Sequence, residues 1–280
     1  MIQLELKKAI HTTDGNQILD IAFEVPKNGL ITLFGKSGVG KTTLLRMIAG
    51  LLTPESGRIQ VGNEVWFDSA KKINVKPQKR NIGFVFQDYA LFPNMTVKQH
   101  LLFAQKEKSS EQADELLEIF HLTGLTERKP QTLSGGQMQR LAVARALARK
   151  PEVLLLDEPL SALDEETRRL LQDEIIQAHQ KIGSTTILVS HDRAEVIRLS
   201  DRIYRIEAGI IVASGTADEF FGLDSQERKF TAQVVEVTEQ GAVILVNGEK
   251  IAIKNTEADI SPKIGDCVIV TLNDIGIHLP

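Results

Sequence analysis

The eight residues Gly35-Lys36-Ser37-Gly38-Val39-Gly40-Lys41-Thr42 constrain this chain more than any other stretch of it. They fit the pattern G-x-x-x-x-G-K-[ST], and their setting gives the pattern weight. Leu30 to Phe34 reads as a short buried strand, and Thr42 to Leu51 is helix-forming up to a stop at Pro54. Strand, glycine loop and helix in that order make a phosphate site. Glycines let backbone N–H groups close around phosphate oxygens, and the start of a helix favours an anion. Lys41 then reaches the β- and γ-phosphates, and the Thr42 hydroxyl ligates Mg²⁺, so Gly35 through Thr43 are candidate nucleotide-binding residues. The alternative is a glycine turn that merely caps a helix. A chance match to the full pattern in a chain of this composition has odds of about 1%. The motif indicates a nucleotide and leaves the reaction open.

A second strand end carries acids. Val153-Leu154-Leu155-Leu156 reads as a buried strand running into Asp157-Glu158-Pro159, and ligands of open α/β sheets bind at such carboxyl ends. Asp157 is suited to hold a hydrated Mg²⁺, and Glu158 to take a proton from an attacking water. The amphipathic run Glu165 to Lys181 separates this strand from a further one at Thr185 to Val189, which is the βαβ signature of a parallel sheet. At the N-terminus, Ile2, Leu4 and Leu6 alternate, and Ile18 to Val25 is rich in apolar residues. Paired strands around a turn at Asp14-Gly15-Asn16 are expected there. Between Gln87 and Lys150 the periodicity becomes helical, over Val97 to Gln105, Glu111 to Phe120 and Gly136 to Arg149. After the polar linker Asp224 to Arg228, short alternating segments at Ala232 to Val237, Ala242 to Val246, Ile251 to Ile253 and Val268 to Leu272 read as strands, with a hairpin turn at Asn247-Gly248.

Composition excludes several classes. With 42% apolar and 25% charged residues among 280, the chain reads as soluble and globular. Its longest apolar runs fall far short of the roughly 18 residues that cross a bilayer. The start Met1-Ile2-Gln3-Leu4-Glu5 carries no export signal, so the cytoplasm is expected. Cys267 is the lone cysteine and reads as a small buried side chain. A net charge of −4 gives no global attraction to nucleic acid, which is not an expected partner. The cluster Lys71, Lys72, Lys76, Lys79 and Arg80 reads as a solvated loop.

Leu133-Ser134-Gly135-Gly136-Gln137 runs into the helix Met138 to Arg149, and a serine hydroxyl with glycine N–H groups at a helix start makes a second anion site. With this segment beside the phosphate loop and the acid pair, the chain resembles the ATP-binding subunits of ABC transporters over about residues 1–222. The resemblance implies an α/β P-loop ATPase core: a mixed sheet with an N-terminal antiparallel β part, and a helical subdomain at about 88–150. The ATPase domain would span 1–223. A small all-β module of the TOBE or Mop kind would follow at 229–280, with Ser261 to Asp266 as a matching turn.

Carried over residue by residue, the resemblance implies a dimer of two copies around two ATP. Ser134, Gly135, Gly136 and Gln137 of one copy would clamp the γ-phosphate held by the phosphate loop of the other. Gln87, after the strand Ile82 to Phe86, matches the glutamine loop that contacts metal and attacking water and reports to the membrane subunit. Ser161-Ala162-Leu163-Asp164 matches the loop that couples the two sites. His191 matches the switch histidine that bridges the γ-phosphate and Glu158. Glu158, His191, Gln87 and Lys41 thus become the catalytic candidates, with Thr42, Gln87 and Asp157 around Mg²⁺. The aromatic ring that the family stacks on adenine has no counterpart near His11 to Thr13, and His11 is the candidate substitute.

Arg128 to Thr132 with Gln137 to Arg140 looks like importer ATPases whose permease subunits are separate chains. Gln78 to Pro93 is similar to molybdate/tungstate-type importers and their relatives for sulfate, ferric iron and polyamines. The expectation is an oxyanion importer, with molybdate or tungstate first. It would sit on the cytoplasmic face of the membrane, with permease subunits and, indirectly, a solute-binding protein as partners. Tyr89, Leu91, Phe92 and Met95 would receive the permease. The serine, alanine, arginine and asparagine pattern of oxyanion-binding modules is not evident around Ser225 to Thr231, so the β module is equally open to a dimerisation or regulatory role. Two rivals fare worse. A soluble ABC protein of DNA repair or translation needs a long heptad insertion, whereas only about 90 residues separate the phosphate loop from Leu133. A kinase or GTPase is opposed by Ser134-Gly135-Gly136 and by the lack of an Asn-Lys-x-Asp guanine motif.

Overall fold

Alternation sets the first layer. In β1 (Ile2–Thr12) and β2 (Gly15–Val25), Ile2, Leu4 and Leu6 face the same core as Leu19, Ile21, Phe23 and Val25, and polar residues take the opposite face. The two pair antiparallel without a break from Ile2↔Val25 to Thr12↔Gly15. The computed structural model describes residues 1–12, 15–161, 163–222, 228–238, 241–246, 249–254, 263–265 and 267–272. The expected turn at Asp14, Ala162 of the coupling loop, the linker from Asp224, the Asn247-Gly248 turn and the Ser261-Pro262 turn lie wholly or partly outside these residues, as does the side chain of Cys267.

The path continues through β3 (Leu30–Phe34), α1 (Lys41–Ala49), β4 (Ser56–Val61), β5 (Glu64–Asp68), β6 (Ile73–Asn74) and β7 (Ile82–Val85). Three helices follow, α2 (Val97–Ala104), α3 (Ser110–Ile119) and α4 (Gly135–Leu147). The core resumes with β8 (Val153–Asp157), α5 (Glu165–Ile182), β9 (Thr185–Ser190), α6 (Arg193–Leu199), β10 (Arg202–Glu207), β11 (Ile210–Gly215) and α7 (Ala217–Phe221). Two sheets result. One is antiparallel in the order β2-β1-β4-β5-β6, and the other has the order β11-β10-β3-β9-β8-β7, parallel except for β11.

The parallel sheet is buried on both faces, as helical crossovers require. Val153 and Leu155 of β8 join α1 and the antiparallel sheet in one apolar core, whereas Leu154 and Leu156 join α2 to α5 in another. Helix α1 therefore lies between the sheets. It ends at Ala49, two residues before the expected Leu51, because Gly50 adopts φ 76°, a left-handed stop at which glycine carries no steric penalty. No element was expected over 56–74 or after residue 193 in the core. Strands β4 to β6, β10 and β11 are short or interspersed with charge, and pairing rather than propensity makes them strands.

Arg80 corrects the reading of the basic loop. Lys71, Lys72, Lys76 and Lys79 are exposed, but Arg80 is 1% exposed. Its guanidinium donates to Met47 O (3.0 Å) and Ile48 O (2.6 Å) at the end of α1, and to Val75 O, Trp66 O and Asn74 Oδ1. A cation on the last carbonyls of a helix is favourable, and the fork satisfies several acceptors at once. Burial lowers its pKa to about 10, which leaves it charged at neutral pH.

The chain divides into two compact units, Met1–Phe220 and Phe221–Pro280. The second contains β12 (Arg228–Thr238), β13 (Gly241–Val246), β14 (Glu249–Lys254) and β15 (Cys267–Leu272), an antiparallel sheet in the order β14-β13-β12-β15 with Val234, Ala242 and Ile244 buried. Among the described residues, no helix is long and apolar enough to cross a membrane.

Candidate active site

The glycine loop joins β3 to α1 and is pressed onto its surroundings. A Cβ on Gly40 would stand 2.7 Å from Leu19 Cδ1 and 2.9 Å from Ile10 Cδ1, and one on Gly35 would stand 2.5 Å from Ile206 O. Gly40 is the N-cap of α1 at φ 98°, supplies no capping side chain, and is followed by a first turn without acids, so the helix start presents N–H groups to an anion. Lys41 is 4% exposed, and its Nζ donates to Gly35 O and Lys36 O, both at 2.7 Å. Burial lowers the Lys41 pKa, opposed by the carboxylates of Glu158 and Asp157. Thr42 Oγ1 donates to Asp157 Oδ1 at 2.9 Å, which joins the loop to the end of β8. Burial raises the Asp157 pKa, and the Thr42 hydrogen bond works against that rise.

Glu158 leaves β8 with φ 47°, a left-handed conformation that is costly for a residue with a side chain. Its N–H donates to Val189 O at 3.2 Å, and its Oε1 lies 3.3 Å from His191 Nδ1. The strained turn thus aims the carboxylate toward the residue just past β9. Glu158 is largely covered (side chain 16% exposed), whereas His191 is open to solvent (54%).

A cleft of about 450 Å³ brings the parts together. Ser37, Gly38 and Gly40 line it from the loop, Lys41, Thr42 and Thr43 from α1, Gln87 from the turn after β7, and Glu158 from the end of β8. Ile10 and His11 of β1 close its side, and His11 Nδ1 lies 2.5 Å from Asn16 Oδ1 across the hairpin. Ile10 was not anticipated; its place opposite Gln17 in the hairpin register puts it beside His11, which pattern alone does not show.

The second glycine segment lies elsewhere. Ser134, Gly135, Gly136 and Gln137 do not line this cleft; they open α4 in a capping box, with Gln137 N donating to Ser134 Oγ (3.3 Å) and Ser134 N to Gln137 Oε1 (3.0 Å). Asp164 likewise caps α5, accepting from Thr167 N at 2.9 Å. At the other end of α4, Arg145 donates to Tyr89 O (2.9 Å) and Ala90 O (2.5 Å), the carbonyls of two residues held at φ 62° and 45° just after Gln87.

The Thr42 hydroxyl, the Asp157 carboxylate and the Gln87 amide offer hard oxygen donors, the set that suits Mg²⁺. Among the described residues no group of three or more His, Cys, Asp or Glu forms a metal cage.

The family model for the ABC transporter matches residues 18–161. The chain is 41% identical over 248 residues to the sulfate/thiosulfate import ATP-binding protein CysA 1 of Agrobacterium fabrum, covering 84% of this chain and 70% of that protein. It is 40% identical over 218 residues to the molybdenum import ATP-binding protein ModC of Vibrio parahaemolyticus, covering 78% of this chain and 58% of that protein's length. The dimeric structure of MJ0796, a bacterial ABC transporter cassette, superposes with a TM-score of 0.66 at 27% identity, over 78% of this chain and 99% of that one. The same cassette in a dimeric post-hydrolysis state bound to ADP and Pi matches equally well. The chain belongs to the ABC transporter family and is an ATP-hydrolysing subunit of that type.

Proposed function

We propose that this chain energises an importer for an oxyanion by binding and hydrolysing ATP between two of its own copies. One observation carries the reading: the phosphate loop, Thr42 and Glu158 line one cleft, with Asp157 bonded to Thr42 and His191 beside Glu158 at its edge, while Ser134 to Gln137, a second anion-type helix start, is not part of that lining. A second copy is the natural source of the missing half, and solved relatives of this fold are dimers. The sulfate/thiosulfate relative is as similar as the molybdenum one, 41% against 40%, so the expectation of molybdate widens to oxyanions, with sulfate an equal candidate.

In this reading Lys41 exchanges its two carbonyl partners for β- and γ-phosphate oxygens, and the start of α1 binds phosphate through backbone N–H groups. When bound, Mg²⁺ held by Thr42, Asp157 and Gln87 neutralises charge on the phosphates. Glu158 accepts the proton of the attacking water, and His191, beside that carboxylate, bridges it and the γ-phosphate. His11 and Ile10 flank the adenine. Asp164 and its loop connect the two sites. Phe92, 41% exposed, and Phe103, 60% exposed, meet edge to face at 5.4 Å and form the exposed apolar patch that would receive a permease on the cytoplasmic face; Tyr89 and Leu91 pack largely on the core behind it.

The test is Glu158→Gln. With Mg-ATP it is expected to keep nucleotide affinity, slow hydrolysis by about 10²-fold or more, and accumulate as a dimer in analytical ultracentrifugation. Near-normal turnover would sink the role of Glu158, and a monomer at saturating ATP would sink the shared site. Cargo is read by assembling the complex and asking whether sulfate or molybdate stimulates its ATPase.

A further inference from the structure

Two charged residues outside the cleft tie together the segments on either side of Glu158. Arg168, the fourth residue of α5, donates from Nη2 to Leu163 O at 2.8 Å and from Nε to Leu160 O at 3.4 Å. Both carbonyls belong to the loop that begins two residues after Glu158. The same Nε lies 3.7 Å from Glu195 Oε1 on α6, and Nη1 meets Glu165 at the exposed rim at 3.1 Å. Glu195 is 4% exposed, and its Oε2 accepts from Ser190 Oγ at 2.6 Å. Ser190 is 2% exposed, immediately precedes His191, and accepts from Asp192 N at 3.0 Å. Glu158, Ser161, Arg168, Ser190, His191 and Glu195 surround a common cavity of about 60 Å³.

A buried carboxylate needs compensation, and fold stability alone is served by any partner that supplies it. Here the compensation runs in a particular direction. One end of the pair grips the loop after Glu158, and the other grips the residue before His191. We infer that Arg168 and Glu195 are positioning residues for ATP hydrolysis, a strap that holds the 160–164 loop and the switch histidine in one geometry so that Glu158 and His191 act together. The inference rests on the roles proposed for Glu158 and His191. Neither strap residue touches the phosphate loop, so the strap acts on turnover and leaves ATP binding alone.

The experiment is steady-state ATPase kinetics on the full chain, with thermal melting of each variant. Glu195→Ala and Arg168→Ala are each expected to lower kcat about 10-fold or more, with KM for ATP within about twofold of wild type. The double variant should fall no further than the worse single variant, because both cut one strap. Glu195→Gln retains an oxygen for Ser190 and should recover part of the lost kcat, which also covers the case in which the alanine variants fold poorly. Wild-type kcat in folded Glu195→Ala and Arg168→Ala, or losses that multiply in the double variant, would overturn the strap while leaving the proposed function intact. A wild-type chain without ATPase activity, or a fully active Glu158→Gln, would overturn the proposed function and the strap with it.

Discussion

The phosphate loop and the segment Ser134 to Gln137 are both glycine-bearing starts of helices, yet they stand in opposite states. At the first, Gly40 gives α1 no side-chain cap, and the loop is wedged against β1, β2 and β10 with Lys41 buried. At the second, Ser134 and Gly135 are exposed, the helix is capped by its own Ser134 and Gln137, and a Cβ on Gly135 would meet nothing within 4 Å. An uncapped helix start held in place by close packing is preorganised to bind an anion by itself. An exposed, self-capped one must give up hydrogen bonds to do so, and it gains most when a second surface excludes water. In the proposed reading, binding strength belongs to the first region, and the condition for turnover to the second.

The largest effect that can break this contrast is loss of Lys41. Lys41→Ala removes the buried cation beside the phosphates and should weaken ATP binding about 100-fold in a titration with a fluorescent nucleotide. Unchanged affinity would mean that the phosphate-loop half-site does not hold the nucleotide. Gly135→Asp probes the other half. The open space around Gly135 predicts an unchanged melting temperature and unchanged ATP affinity in the monomer. An added carboxylate facing phosphate should abolish the ATP-driven dimer and reduce hydrolysis about 10-fold or more. If Gly135→Asp weakened binding as much as Lys41→Ala, the division of labour would be wrong.

The smallest effect concerns how the exposed half is anchored. Arg140 of α4 lies 3.2 Å from Glu174 of α5, with His121 at 3.9 Å. Burial pushes the Glu174 carboxyl up to about 7 from an ordinary 4.5, with the Arg140 charge acting against the rise. The folded state then holds a proton that the unfolded state releases at lower pH. The contribution of Glu174 to stability is thus complete below about pH 4.5, declines as pH rises toward about 7, and is lost above it. Wild-type melting temperature should carry this decline between pH 5 and 7.5, and Glu174→Gln should remove that component. Identical pH profiles for the two proteins would show that Glu174 does not titrate in this range.

How much of this was legible depended on the range of the interaction. Leu30 to Phe34, Val153 to Leu156 and Thr185 to Val189 announce themselves as strands because a strand buried on both faces is a run of apolar residues. The loop residues, Gln87 and Glu158 share a cleft because each follows the carboxyl end of such a strand, where parallel sheets gather their loops. Arg80, Arg168 and Glu195 gave no such signal. A charged residue at helical or loop spacing normally marks a solvated face. Only the partners brought by other elements, Met47 and Ile48 for Arg80 and Ser190 for Glu195, turn those two into interior groups, and Arg168 remains half-buried between the carbonyls of Leu160 and Leu163 and the Glu195 carboxylate.

By itself the sequence determined the α/β core, its helical insertion and the chemistry of the phosphate loop, because glycine, lysine and threonine at fixed spacing act through local backbone geometry. The tertiary structure decided which surfaces those groups face. It separated Ser134 from the cleft, bent Glu158 toward His191, and buried Arg80 and Glu195. Those outcomes depend on sheet order and helix packing over separations of tens of residues, where side-chain identity sets what a contact is worth and the fold sets whether the contact is made.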